Sequence, residues 1–145
     1  MLSEFHLHAG KILTVKVLMD SNFLLVPFQF KLDIFEELSH LLNQKYYPII
    51  LSTMWGELER LSERCSPRMR RRALMALKLA GKCEMLQVEE EADEVHDDVM
   101  VRVAKDLNCL VATNDRELRK RLRNINIPVI YLREKSRLEI EGPLP

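Results

Sequence analysis

The chain has 145 residues, 47% hydrophobic and 30% charged, a composition that suits one globular domain with a real core. Lys plus Arg and Asp plus Glu number 22 each, so the formal net charge is zero; the surface as a whole is not built to hold polyanions, and only a local basic patch stays open. No apolar run reaches the ~18 residues of a membrane span and no secretory leader is legible, while three widely spaced cysteines without a C-x-x-C argue for a reducing, cytoplasmic setting and against zinc.

Residues 1–13 have weak periodicity and read as an N-terminal extension, in which His6 and His8 are ordinary exposed histidines rather than metal ligands. Leu13 to Asp20 is the first strand, β-branched and nearly continuous in apolar character, and it stops at Asp20-Ser21-Asn22. Taken alone, Asp20 reads as a turn residue or helix cap. From Phe23 to Asn43, Leu32, Phe35, Leu38, Leu41 and Leu42 recur at helical spacing and predict one amphipathic helix. Pro48 to Ser52 is a second, buried strand. Ser52 and Thr53 then cap a helix from Met54 to about Arg64, with Met54, Trp55, Leu58 and Leu61 on its apolar face. Glu57 lies on the boundary of that face, Glu59 also near one, and Glu63 fully outside.

Pro67 suits the first position of the next helix, whose early turns carry Arg68, Arg70, Arg71 and Arg72 and which Gly81 ends. Its small-residue face, Ala73, Ala76, Leu77 and Ala80, suits close packing or a homodimer. Cys83 to Val88 is a third strand, and Glu89 to Glu94 reads as a solvated acidic loop. His96 reads as a surface histidine, although its place before Asp97-Asp98 also suits a group supporting those acids. From Asp97 a helical step puts Val99, Met100, Val101, Val103, Ala104 and Leu107 on one broad face. Asp97 falls at the edge of that face and Asp98 points away from it. Cys109 to Ala112 is a buried strand that runs into Thr113-Asn114-Asp115. A helix follows, with Leu118, Leu122 and Ile125 on one face and Arg116, Arg119, Lys120 and Arg123 on the adjoining one. Pro128 to Leu132 is the last strand, and residues 134–145 read as a tail laid on the surface of a single domain over 14–133.

Alternating strands and helices imply an α/β fold, a mostly parallel central sheet of about five strands with helices on both faces. Ligand sites in such sheets gather at the carboxyl ends of the strands, and Asp20, Glu57, Asp97 and Asp115 all lie toward that edge. Two unit charges 4 Å apart at an effective dielectric of 20 repel by about 4 kcal/mol. Four acids together therefore ask for a cation or for protons. Carboxylates without cysteine or paired histidine suit Mg²⁺ or Mn²⁺, which activate water toward a phosphodiester.

The ordered pieces VLMDSN, GELERL, DDVMVRVA, LVATNDRELRKRLR and PVIYL resemble the PIN-domain ribonucleases from about Val15 to Leu132. The likeness is greatest to those of small-subunit rRNA processing and their archaeal relatives, and more distant to VapC-type toxins. It implies a single PIN-like domain and a Mg²⁺- or Mn²⁺-dependent endoribonuclease of single-stranded or loop RNA. Asp20, Glu57, Asp97 and Asp115 would be the metal-binding and catalytic acids, supported by Asn22 and Thr113. Where the family has one essential acid, this chain has Asp97 and Asp98; the helical face favours Asp97 and leaves Asp98 as a further candidate ligand. Arg116, Arg119, Lys120 and Arg123 would hold RNA with help from Arg68, Arg71 and Arg72. Few aromatics flank these residues, so base stacking is not expected, and affinity should be salt-sensitive. The partners implied are RNA, a pre-ribosomal particle and a second copy of the chain. The rival readings are a VapC-type toxin ribonuclease and a non-catalytic RNA-binding or assembly factor of the same fold.

Overall fold

The computed structural model describes residues 15–144, so the whole predicted extension, with His6 and His8, lies outside the described residues. β1 (Val15–Met19) runs into α1 (Ser21–Leu24), α2 (Val26–Phe30) and α3 (Ile34–Leu42). The single helix expected over this region is therefore three. Pro27 sits in the first turn of α2, Lys31 ends α2 in the left-handed region at φ 53°, and Asp33 starts α3 afresh by accepting from the Glu36 N–H at 3.2 Å.

β2 (Tyr46–Leu51) leads into α4 (Ser52–Arg64). Ser52 does not cap α4, as its place in the sequence predicts. Its hydroxyl accepts from the Val88 N–H at 3.0 Å and donates to the Val88 carbonyl at 3.3 Å, tying α4 to the segment after β3. α5 (Pro67–Ala80) is capped by Ser66 and packs along α4, and its Ala73, Ala76 and Ala80 are buried within the chain. That small-residue face is consequently not a surface for a homodimer.

β3 (Glu84–Leu86), α6 (His96–Leu107), β4 (Leu110–Ala112), α7 (Arg116–Asn124), β5 (Val129–Arg133) and β6 (Arg137–Glu141) complete the described chain. The sheet has six strands in the order β3-β2-β1-β4-β5-β6, all parallel except β6 against β5. Consecutive residues Val17, Leu18 and Met19 are all fully buried, so both faces of the sheet are covered, as parallel strands require.

The expected surface tail is corrected. Residues 137–141 form the sixth strand, with Ile140 opposite Ile130 and Leu138 only 6% exposed. Glu134 and Lys135 make the reversal with left-handed φ of 53° and 58°. That is the twist a tight hairpin needs, reached here without the usual Asn or Gly. Among the described residues no helix is long and apolar enough to cross a membrane, and Cys65, Cys83 and Cys109 are free thiols.

Candidate active site

The strand order reverses between β1 and β4, which opens a crevice at their carboxyl ends. Asp20 follows β1 directly and Thr113 follows β4. The ladder carries on into both: the Asp20 N–H donates to the Ala112 carbonyl at 2.9 Å and the Thr113 N–H to the Ile130 carbonyl at 3.0 Å.

Asp20 is 3% exposed and takes four hydrogen bonds on its carboxylate. Oδ1 accepts from the Ser21 N–H at 2.8 Å and lies 3.1 Å from His96 Nε2. Oδ2 accepts from the Thr113 hydroxyl at 2.7 Å and from Asn22 Nδ2 at 3.3 Å. Four such partners offset the cost of taking a carboxylate out of water. Thr113, fully buried, also accepts the Asp115 N–H at 3.1 Å, so one hydroxyl couples the first acid to the last. Asn22 accepts from the Asn114 N–H at 3.2 Å, and Asn114 in turn accepts from the Leu132 N–H at 2.8 Å. Asn114, a residue with no role assigned from the sequence, thus braces the site against β5.

Asp115 caps α7 with Oδ1, which accepts from the Glu117 and Leu118 N–H groups. Glu57 reaches across from α4 and accepts from the Ser21 hydroxyl at 3.4 Å. Asp20, Glu57 and Asp115 line one cleft of about 480 Å³, together with Ser21, Asn22 and His96 and with three residues the sequence did not single out, Thr53, Arg60 and Glu90. Asp97, second in α6, is not in that lining. Its carboxyl is pushed above the ordinary range first by burial and then by the charge of Asp115, with a further contribution from Asp20 and an opposing one from His96. Asp98 faces the other way: Oδ2 accepts from the Val95 N–H at 3.0 Å, Oδ1 meets Arg121 at 2.9 Å, and both hold its carboxyl below the ordinary range. Asp98 is thus engaged with Val95 and Arg121 and does not line the cleft.

His96 is not a plain surface histidine. Its hydrogen bond to Asp20 raises its pKa against the opposing effect of burial, with further help from the charges of Asp20, Glu57 and Asp97. Arg60 and Thr53 had a signal in the sequence, since they lie three after and four before Glu57 on the same side of α4. Glu90 had none within its acidic run. The Thr53 hydroxyl oxygen is buried and has no partner among the described residues.

Among the described residues no three His, Cys, Asp or Glu side chains are disposed as a ready-made metal cage. A hydrated hard cation does not need one, because Mg²⁺ keeps several waters and takes one or two carboxylates directly. The cleft's donor set, carboxylate oxygens beside a single imidazole, fits such an ion.

The predicted RNA-holding residues are distributed unevenly. Arg119 stacks over the Tyr131 ring at 4.1 Å and pairs with Glu141 at 3.6 Å. Lys120 meets Glu117 at 3.9 Å, and Arg123 donates to the Ile127 carbonyl at 3.3 Å. Arg116, beside Asp115, has no such partner among the described residues. Arg68, Arg71 and Arg72 lie on α5, outside the lining of the cleft.

A family model described as a PIN like domain matches residues 17–135. Ribonuclease VapC4 of Methanocaldococcus jannaschii is 35% identical over 129 residues, covering 88% of this chain and 97% of that protein. The rRNA-processing protein fcf1 of Schizosaccharomyces pombe is 32% identical over 125 residues, 85% of this chain, which spans only 62% of that longer protein. Among solved structures, the PIN domain endonuclease Utp24 superposes with a TM-score of 0.73 at 31% identity, over 89% of this chain and 92% of that one.

Proposed function

Because the chain belongs to the PIN-like domain family, we propose that it is a metal-dependent endoribonuclease that hydrolyses phosphodiester bonds of single-stranded or loop RNA. The observation that carries this reading is the buried Asp20 carboxylate at the β1/β4 crevice, braced by Thr113 and Asn22 and faced by Glu57 and Asp115. A bound Mg²⁺ or Mn²⁺ would supply an activated water and neutralise charge on the scissile phosphate. Asp20, Glu57, Asp97 and Asp115 would hold the ion. Thr113 fixes the Asp20 rotamer and, through the Asp115 N–H, the spacing of the two acids. Arg60 in the cleft lining and Arg116 next to Asp115, each without a hydrogen-bond or ion-pair partner among the described residues, are free to take phosphate oxygens.

Two kinds of relative support two biological settings. Likeness to the rRNA-processing protein fcf1 supports ribosomal RNA as substrate, met in a pre-ribosomal particle; likeness to Ribonuclease VapC4 over nearly its whole length supports the reading as a VapC-type toxin ribonuclease. Three free thiols fit a cytoplasmic setting for either.

The test is cleavage of a labelled single-stranded RNA with Mn²⁺, with EDTA, and by Asp97→Asn. The expected result is cleavage that needs the metal and is lost in the variant, which still binds RNA. Cleavage indifferent to EDTA and to the substitution sinks the proposal. RNA binding without any cleavage by the unaltered chain supports the assembly-factor reading instead.

A further inference from the structure

Residues 65–83 contain six cations and no acid, in a chain whose formal net charge is zero. Three of them, Arg68, Arg71 and Arg72 of α5, surround one cavity of about 310 Å³ with Phe28 of α2 and Met75. An adjoining cavity shares Arg71 and Met75 and adds Trp55 of α4 and Lys78. None of these four cations has a hydrogen bond or ion pair among the described residues. By contrast Arg102, Arg119, Arg121, Arg133 and Arg137 each meet a carboxylate. Three guanidinium groups around one cavity repel one another, and an anion placed between them relieves the repulsion. Guanidinium is also the group that takes phosphate oxygens two at a time.

We infer that this face of α5 is a second single-stranded RNA site, separate from the acidic cleft: Arg68, Arg71 and Arg72 take backbone phosphates, and Phe28 and Trp55 take bases. The inference rests on the reading of the chain as an RNA enzyme. Half-buried aromatics set among unpaired cations are the composition of a single-strand platform, where bases stack and phosphates pair. Two cavities that share Arg71 suit successive nucleotides of an extended strand. No aromatic lies near these arginines in the sequence, and the fold supplies both rings from other elements. The rival occupant is a protein, since Trp, Met and Arg are also enriched in protein interfaces. The first cavity, with three arginines to one ring, favours the polyanion.

Trp55 is the chain's single tryptophan, so its emission reads this face directly. The experiment titrates Asp97→Asn protein in EDTA with an unstructured RNA of about 12 nucleotides. Saturable quenching of Trp55 is expected. Arg68→Gln/Arg71→Gln/Arg72→Gln, checked for an unchanged melting temperature, should bind at least tenfold more weakly, with a salt slope shallower by about two, at roughly 0.7 for each phosphate no longer neutralised. Phe28→Leu should weaken binding roughly fivefold or more with the slope unchanged, which is the mark of stacking. Equal affinity in all these variants with Trp55 emission unmoved overturns the site; if the unaltered chain still cleaves RNA, the enzymatic reading survives. A Trp55 signal that follows protein concentration without RNA, lost in the triple variant, assigns the face to a protein partner and likewise overturns it. If the unaltered chain neither binds nor cleaves RNA, both readings fall.

Discussion

Thr113→Val changes almost no volume and removes one hydroxyl from a site with no solvent exposure. That hydroxyl donates to the Asp20 carboxylate at 2.7 Å and accepts the Asp115 N–H at 3.1 Å. A hydrogen bond to a charged group contributes roughly 1.5–3 kcal/mol, and a buried N–H left without its acceptor costs about 1 kcal/mol more. The expected loss is about 2–4 kcal/mol, a large share of the roughly 5–15 kcal/mol that holds a domain folded. At about 3–4 °C per kcal/mol for a chain of this size, the melting temperature should fall by roughly 6–16 °C. Urea unfolding in EDTA measures it without any contribution from metal. Thr113→Ser is the control, since it keeps the hydroxyl and loses one buried methyl at about 1 kcal/mol. Combined with Asp20→Asn, Thr113→Val should show a coupling of about 1–3 kcal/mol. A loss under about 1 kcal/mol, or losses that simply add, would refute the claim that Thr113 acts through Asp20.

Asp98→Asn should retain cleavage where Asp97→Asn loses it, because Asp98 is engaged with Val95 and Arg121 away from the acids; parallel single-turnover assays decide, and equal loss in both counts against the assignment. Leu138→Asp, at a site 6% exposed on β6, should cost about 3 kcal/mol of stability by urea unfolding, and a cost near zero would mean that the strand is peripheral. Glu94 has its carboxyl lowered from 4.5 to about 2, first by its hydrogen bond to Arg102 and then by the Glu91 N–H. Its contribution is therefore complete above pH 4.5 and lost as pH falls through about 2. Glu94→Gln should flatten the loss of stability across that acid window, and unaltered and variant chains losing stability in parallel would contradict it.

Local periodicity was enough to orient α6. A helical step placed Asp97 at the edge of the apolar face and Asp98 opposite, and in the structure Asp98 pairs with Arg121 while Asp97 feels the charges of Asp115 and Asp20. β1, β2, β4 and β5 were legible because buried parallel strands are short apolar runs. The residues that escaped notice depend on partners far along the chain. His96 meets an aspartate 76 positions earlier, and the Ser52 hydroxyl turns from helix capping to a backbone 36 positions later. β6 escaped because Glu134 and Lys135 carry its turn in a conformation usually signalled by Asn or Gly. The break between α2 and α3 turns on Lys31 in a left-handed backbone, a conformation that a lysine does not signal in the sequence.

The two walls of the acidic cleft belong to parts of the fold with different mechanical character. One wall is an extension of the sheet, since the amides of Asp20 and Thr113 are bonded to neighbouring strands. In a deuterium-exchange experiment those amides should label only with the highest-energy opening of the domain. The other wall includes Glu90, in a stretch between β3 and α6 that has neither helix nor strand and is held by Arg102 to the Glu89 carbonyl and to Glu94. Its amides should label through local openings long before the core does. The sheet-borne side of the cleft is thus fixed by the strand ladder, whereas the Glu90 side hangs on side-chain tethers, Arg102 at one end and Ser52 at the other.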